Sequence, residues 1–301
     1  MGDGFHPGEL AVQRRAGERD VAAHVGRSIR ATVPGVAAAF LAECRMLVLG
    51  AADEAGRLWA SPLFGPPGFL GAPDERTLLS VVRPGPGDPL AGVLGRGGTP
   101  VGTIALEPST RRRMRANGLA APDGAGLRIC VEEAYANCPK YIQRRELSVE
   151  YPEAHQPGKV VRASELGRRQ RDLIAGADTF FVASADVAGG ADASHRGGAP
   201  GFVRVSGPDR LAWPDYRGNS MYQTLGNLER SPAAGLLFLD WSTGGVLQLS
   251  GEAVIDWSPE RAAEFPGARR VVDFRVTDVR ETANGSPLRW GAPEMSPANP
   301  V

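Results

Sequence analysis

The stretch Ser194–Asn227 reads SHRGGAPGFVRVSGPDRLAWPDYRGNSMYQTLGN. Its order of apolar runs and Gly/Pro/Asn clusters predicts a strand, a turn, a second strand, and an Asn/Gly-rich loop that opens into a helix. Gly218 and Gly226 free the backbone to expose N–H groups, and Tyr216, Asn219, Ser220, Gln223, Thr224 and Asn227 surround them with polar side chains. A helix starting just after Asn219 would aim its positive end at that loop, which suits an anion and above all a phosphate. Arg204, on the preceding strand with Phe202, Val203 and Val205, would add a full positive charge with forked donor geometry. The alternative is an ordinary Gly/Asn turn beside a solvated arginine.

An earlier, weaker copy of the stretch bears on that choice. At an offset of 133 residues (Arg45 onto Asp178) the chain aligns with itself without a gap from about Arg30/Ala163 to Ala120/Ala253. GPPGF at 65–69 falls on GAPGF at 198–202, MLVLG on TFFVA, and TIALE on LLFLD. These matches sit at turns and strand cores, where a duplicated fold needs them. Arg204, however, falls on Gly71, and Asn219-Ser220 fall on Pro86-Gly87. The scaffold is kept while the polar groups are not, so one site per chain is expected to be active and the other vacant.

Each copy reads helix, strand, strand, strand, helix, strand, strand, followed by a last strand at Leu127–Glu133 or Val271–Val279. The fold expected is mainly β: two tandem six-stranded barrels, each closed by its interior helix and facing each other as a pseudo-dimer. The divisions are 1–29, a polar lead-in; 30–150, the degenerate first barrel; and 160–301, the second barrel with the binding loop. The Pro-rich linker lies near Tyr151–Lys159. SPERAAEF at 258–265 reads as an inserted helix capped by Ser258.

The 301 residues carry 34 Lys+Arg and 34 Asp+Glu, a formal net charge of zero, which argues against nucleic-acid or anionic-membrane partners. Glycine (39) and proline (25) are abundant, as short strands and many turns require. The 3 cysteines, Cys44, Cys130 and Cys138, have no CxxC spacing, so neither a metal site nor a disulfide framework is expected. Without a signal-peptide pattern or a membrane-length apolar run, the cytoplasm is the expected location.

PGFVRV, DYRGN with TLGN, the SPAAGLLFLD strand and LQLSGEA together resemble the pyridoxamine 5′-phosphate oxidase-like, flavin-binding split-barrel superfamily over nearly the whole chain. The resemblance implies FMN, or in some members F420 or haem, held between two barrels, commonly in a homodimer. It implies an FMN-dependent oxidoreductase with a small-molecule substrate and electrons from a nicotinamide or a separate reductase. Such oxidases carry an Arg-Lys pair where Gln223-Thr224 stand here, so pyridoxamine 5′-phosphate itself is not the expected substrate. Phe202–Val205 would run along the flavin, with Arg204, Asn219, Ser220 and Thr224 on its phosphate. Lys140 and Tyr141, in NCPKYIQRR at 137–145, would reach it from the first barrel.

Ser194, His195 and Arg196 open the strand before PGFV, and His195 is the candidate for proton transfer near neutral pH. Arg289 and Trp290 in SPLRW resemble an element that packs on the cofactor, or else they close the barrel. His6 and Glu9 would form a lid or a frayed end, and Arg111-Arg112-Arg113 a solvated strand edge. Two rival readings remain: a flavin carrier without catalysis, and a haem protein using His24, His155 or His195 as axial ligand.

Overall fold

The apolar runs become antiparallel strands, and they assemble twice in the same order. The computed structural model of the chain describes residues 4–150 and 155–300. Helices α1 (Pro7–Ala16), α2 (Arg19–Gly26) and α3 (Gly35–Glu43) come first. They precede β1 (Met46–Ala52), β2 (Leu58–Phe64), β3 (Leu70–Asp74), β4 (Thr77–Ser80), the single turn α4 (Ala91–Leu94), β5 (Thr99–Glu107), β6 (Arg112–Asp123) and β7 (Gly126–Ala136). These strands pair as β2-β1-β5-β6-β7-β4-β3.

Two short strands, β8 (Leu147–Glu150) and β9 (Val160–Ala163), and helix α5 (Arg168–Gly176) lead to the second half. There follow β10 (Thr179–Ala185), β11 (Ala191–Gly197), β12 (Arg204–Val205), β13 (Arg210–Asp215), α6 (Gln223–Arg230), β14 (Ala233–Leu239), β15 (Val246–Asp256), α7 (Pro259–Ala263), β16 (Arg270–Thr282) and β17 (Leu288–Trp290). The second order, β11-β10-β14-β15-β16-β13-β12, is the first repeated strand for strand. The fold is mainly β, two split barrels in one chain.

Seven and eight strands pair, where six per barrel were expected. The additions are short: β3 and β12 pair with β4 and β13 at the sheet edges, and β9 joins β16. Their Gly/Pro-rich surroundings hide any alternating pattern. Of the expected linker, residues 151–154 lie outside the described residues. Ser258 does not cap α7 with its side chain; its hydroxyl donates to Asp256 instead. No described helix is long and apolar enough to cross a membrane.

The common topology extends to single residues. Both barrels break register at the same point, between Asn117 and Gly118 and between Ser250 and Gly251. A β-carbon on Gly118 would lie 1.9 Å from the Cys130 carbonyl oxygen, and one on Gly251 would lie 2.0 Å from that of Arg275. Only glycine fits either bulge.

Each barrel has its own core: Leu47, Trp59, Phe69 and Ile129 in the first, Phe180, Trp213, Phe238 and Phe274 in the second. A third apolar cluster, with Met46, Val48, Ile104, Phe181, Ala193 and Leu237, cements the two together. At this junction a β-carbon on Gly102 would fall 2.3 Å from the Cα of Asp192, and one on Gly235 would fall 2.5 Å from the Cα of Trp59. Gly102 and Gly235 are equivalent by the 133-residue offset, and so are Trp59 and Asp192. Two reciprocal contacts of equivalent residues define a pseudo-twofold axis, as in a symmetric dimer.

Candidate functional site

A cavity opens where β6 of the first barrel meets β11 and the loop before α6 in the second. It encloses about 120 Å³, room for about four water molecules at roughly 30 Å³ each. The segment after β7, with Asn137, Cys138, Lys140 and Tyr141, forms one wall. Strand alternation turns Arg113 and Arg115 of β6 to one face, and both reach the cavity from the first barrel.

Of the residues singled out in the sequence, the fold brings together Lys140, Tyr141, Ser194, His195, Arg196, Phe202, Tyr216, Gly218, Asn219, Ser220, Gln223 and Thr224 around this cavity. Val203, Arg204, Val205 and Asn227 do not line it. Arg204 is the main departure. It stands on the edge strand β12, donates to the Glu264 carbonyl and lies 4.0 Å over the Phe265 ring. The insertion carrying α7 draws it outward, a partner that strand reading alone does not reveal. Val203 is buried in the second core, and Asn227 donates to Ser184 at 3.0 Å.

Several loop side chains are satisfied within the protein. Asn219 accepts from the Met221 N–H at 3.1 Å, and Ser220 and Tyr222 both donate to Glu18 of the N-terminal region. The Thr224 and Ser194 hydroxyls lie 2.7 Å apart, and both are within reach of Asp192 Oδ2, at 3.3 and 3.1 Å, so their two protons are shared over these three contacts. Arg115 completes that group: it pairs with Asp192, donates to Ser194 at 2.7 Å and to Gln223 at 3.1 Å, and is buried. The helix starts at Gln223, three residues later than expected, and Ser220 and Tyr222 take left-handed φ values of 62° and 64° to reach it. The strain at this approach sets the first turn of α6, Gln223 to Leu225, against the cavity.

The remaining charged groups are donors apart from the Asp215 carboxylate, which lines the cavity and lies 3.4 Å from Arg270 Nε. Arg113 donates to His195 Nδ1 and to the Cys138 carbonyl, each at 2.8 Å, and desolvation brings its pKa down to about 10. Arg196 donates to the His195 carbonyl at 3.1 Å, and burial lowers its pKa too. His195 is 6% exposed; burial, then the charges of Arg113 and Arg196, hold its pKa well below the usual value, so the ring is neutral. Buried His195 Nε2, Arg113 Nε, Arg115 Nε and Arg196 Nε have no partner among the described residues. At the mouth, the rings of Tyr141 and Tyr216 lie 5.1 Å apart, Tyr141 held in place by its hydroxyl on the Arg217 carbonyl and by a backbone φ of 66°.

Arg113, Arg115 and Asp192 escaped the sequence reading, and Arg113 is no solvated edge. Arg111 pairs with Glu294 and Arg112 lies over Phe40, so the run of arginines separates into different surroundings. The available signal was the Arg113-x-Arg115 alternation inside an apolar strand. Other expectations move away from the site. Trp290 packs edge-on against Trp241, in the strap that β17 forms with β8. His24 contacts Arg27, and His155 the Asn284 carbonyl, so only His195 of the three proposed axial ligands lines the cavity.

His6 and Glu9 belong to a packed segment: α1 lies on α6, where a β-carbon on Gly226 would fall 2.6 Å from the Glu9 backbone nitrogen. Glu9 borders a second, acidic cleft of about 600 Å³ with Glu132, Glu133 and Asp186.

The pseudo-equivalent place on the opposite side is filled. Gln248, which matches Arg115, donates to Ser61 at 2.9 Å and to Asp88 at 3.2 Å, and Ser61, which matches Ser194, donates to Asp88 at 2.7 Å. A neutral amide and a carboxylate stand where the other side has its arginine.

Residues 166–283 match the family model described as pyridoxamine 5′-phosphate oxidase. That match falls on the second barrel, from before α5 to the end of β16. Among solved structures, a putative pyridoxamine 5′-phosphate oxidase from Lactobacillus delbrueckii is 18% identical, covering 39% of this chain and 94% of its own, with a TM-score of 0.33. HupZ of Group A Streptococcus is 16% identical over 37% of this chain and 89% of its own, TM-score 0.31. An FMN-binding protein from Syntrophomonas wolfei is 14% identical over 37% and 82%, TM-score 0.29. No curated protein matches the chain.

Proposed function

We propose that this chain is an FMN-dependent oxidoreductase with one flavin site, at the junction of two barrels that arose by duplication, acting on a small molecule that is not pyridoxamine 5′-phosphate. The observation that carries the reading is the set of buried donors left without partners among the described residues, His195 Nε2 and the Nε of Arg113 and Arg196, beside the first turn of α6 in a barrel that matches a family model described as pyridoxamine 5′-phosphate oxidase. Those donors fit an anionic group. The enclosed volume, about 120 Å³, is below the roughly 300 Å³ of a pocket that swallows a whole ligand, so a ring system would rest in the open part of the cleft, where Tyr141 and Tyr216 offer flat faces.

When bound, FMN would supply the hydride or electron chemistry. Arg113, Arg196 and Lys140 would hold the anionic end, and Phe202 would pack beneath. Electrons would come from a nicotinamide or a separate reductase, and a homodimer would repeat the site. One observation favours the carrier reading as second choice: the imidazole at the cavity is pinned by Arg113 and neutral, so no proton-transfer pair stands ready.

Protein purified without added cofactor should show a flavin spectrum, or take up FMN on titration. NADPH or NADH should bleach it and air restore it; FMN uptake without bleaching by either donor would leave a carrier. Arg196→Ala should weaken FMN binding at least tenfold while Arg204→Ala leaves it unchanged; the reverse order would refute the site.

A further inference from the structure

A guanidinium has N–H groups and no acceptor. The 2.8 Å contact between Arg113 Nη1 and His195 Nδ1 therefore has one chemical solution: Nδ1 accepts, and the proton of the neutral ring resides on Nε2. That Nε2–H is buried, lacks a partner, and belongs to a side chain that lines the cavity. The unpaired Nε groups of Arg113 and Arg196 flank the same space. Leaving such donors buried and unmatched costs free energy that a ligand acceptor would recover. Ser194 and Thr224 offer no equivalent, because their hydroxyls already lie on Asp192, and Gln223 has its carbonyl oxygen committed to Arg115.

We infer that His195, its tautomer fixed by Arg113 as a positioning residue, reads the bound ligand through Nε2–H, and that the group it meets is an oxyanion, a phosphate in class. The enclosed volume suits such a group and little more. The proposal rests on the flavin reading only for the ligand's identity; the phosphate could belong to FMN or to another phosphorylated molecule, and inorganic phosphate serves as the probe common to both. His195 is here a donor and does not exchange protons with the ligand, which replaces the general acid–base role expected from the sequence.

The full chain has 4 histidines, so nitrogen-15 spectra of its imidazoles are simple to assign. His195 should appear as the neutral Nε2–H tautomer at pH 7. Inorganic phosphate should shift that proton downfield, and FMN should do the same while riboflavin does not. His195→Phe should weaken phosphate binding about tenfold. Arg113→Met should let the ring populate both tautomers, and Arg113→Lys should keep the wild-type one. An Nδ1–H tautomer, an imidazolium at pH 7, a resonance indifferent to phosphate, or unchanged affinity in His195→Phe would each overturn the proposal. Should His195→Phe fail to fold, the wild-type tautomer and titration decide alone. A shift with phosphate and no flavin uptake would sink the flavin reading and leave this one standing. Flavin uptake with an untouched imidazole would do the opposite.

Discussion

Glu9 sets a proton-linked clasp between the N-terminal helix and the second barrel. Its side chain is 5% exposed and accepts from the His6 N–H at 2.8 Å, while Gly8 lies against the Gly226 carbonyl. Burial raises its pKa from 4.5 to about 8, with the His6 hydrogen bond opposing and the charges of Glu133 and Asp192 adding. Between those two values the folded chain holds a proton that the unfolded chain has released. The contribution of Glu9 to stability is therefore fully present below about pH 4.5 and is lost as pH rises through 8. At about 1.4 kcal/mol per pH unit, the ceiling on the loss is about 3 kcal/mol by pH 7 and about 5 kcal/mol above pH 8, less if α1 detaches first. Glu9→Gln keeps an oxygen for the His6 N–H and removes the titration. Urea unfolding at pH 5, 7 and 8.5 should show the variant matching wild type at pH 5 and exceeding it increasingly above, with hydrogen exchange in residues 7–16 slowed at the alkaline end. Parallel pH profiles for the two proteins would refute the reasoning.

Gly226→Ala places a methyl 2.6 Å from the Glu9 backbone nitrogen; it should release α1, speed exchange in that helix, and flatten the pH dependence just described. Asp192→Ala strands the buried Arg115 charge and should cost about 3–5 kcal/mol in urea unfolding. Adding Arg115→Gln, the residue found at the equivalent position 248, should recover much of that loss. Additive losses would show that the pair is not coupled.

Strand cores and turns were legible because they are local. GPPGF and GAPGF, the paired glycines, and the continuous apolar runs MLVLG and TFFVA carry a turn signal or the mark of a fully buried strand within a few residues. The edge strands β3 and β12, two to five residues long among Gly and Pro, carry none, and neither does the strap of β8 on β17, joined across more than a hundred residues. The docking of α1 on α6 was missed for the same reason. Gly8 and Gly226 look like two unremarkable glycines until the backbones meet.

The site divides in the same way. The Asn/Gly loop, Lys140, Tyr141 and His195 were recognisable because residue type and neighbours are enough to mark them. Whether each polar group is available to a ligand is another matter, decided by partners far along the chain: Glu264 draws off Arg204, Glu18 takes Ser220, and Asp192 with Arg115 takes Ser194, Thr224 and the carbonyl oxygen of Gln223. The sequence by itself determined two like barrels and an unlike pair of loops, since both follow from apolar runs and turn residues that recur at a fixed offset. Only the tertiary structure decided which cations enclose the cavity and which nitrogen of His195 bears its proton, because burial and hydrogen-bond partnership belong to atoms brought together from both barrels.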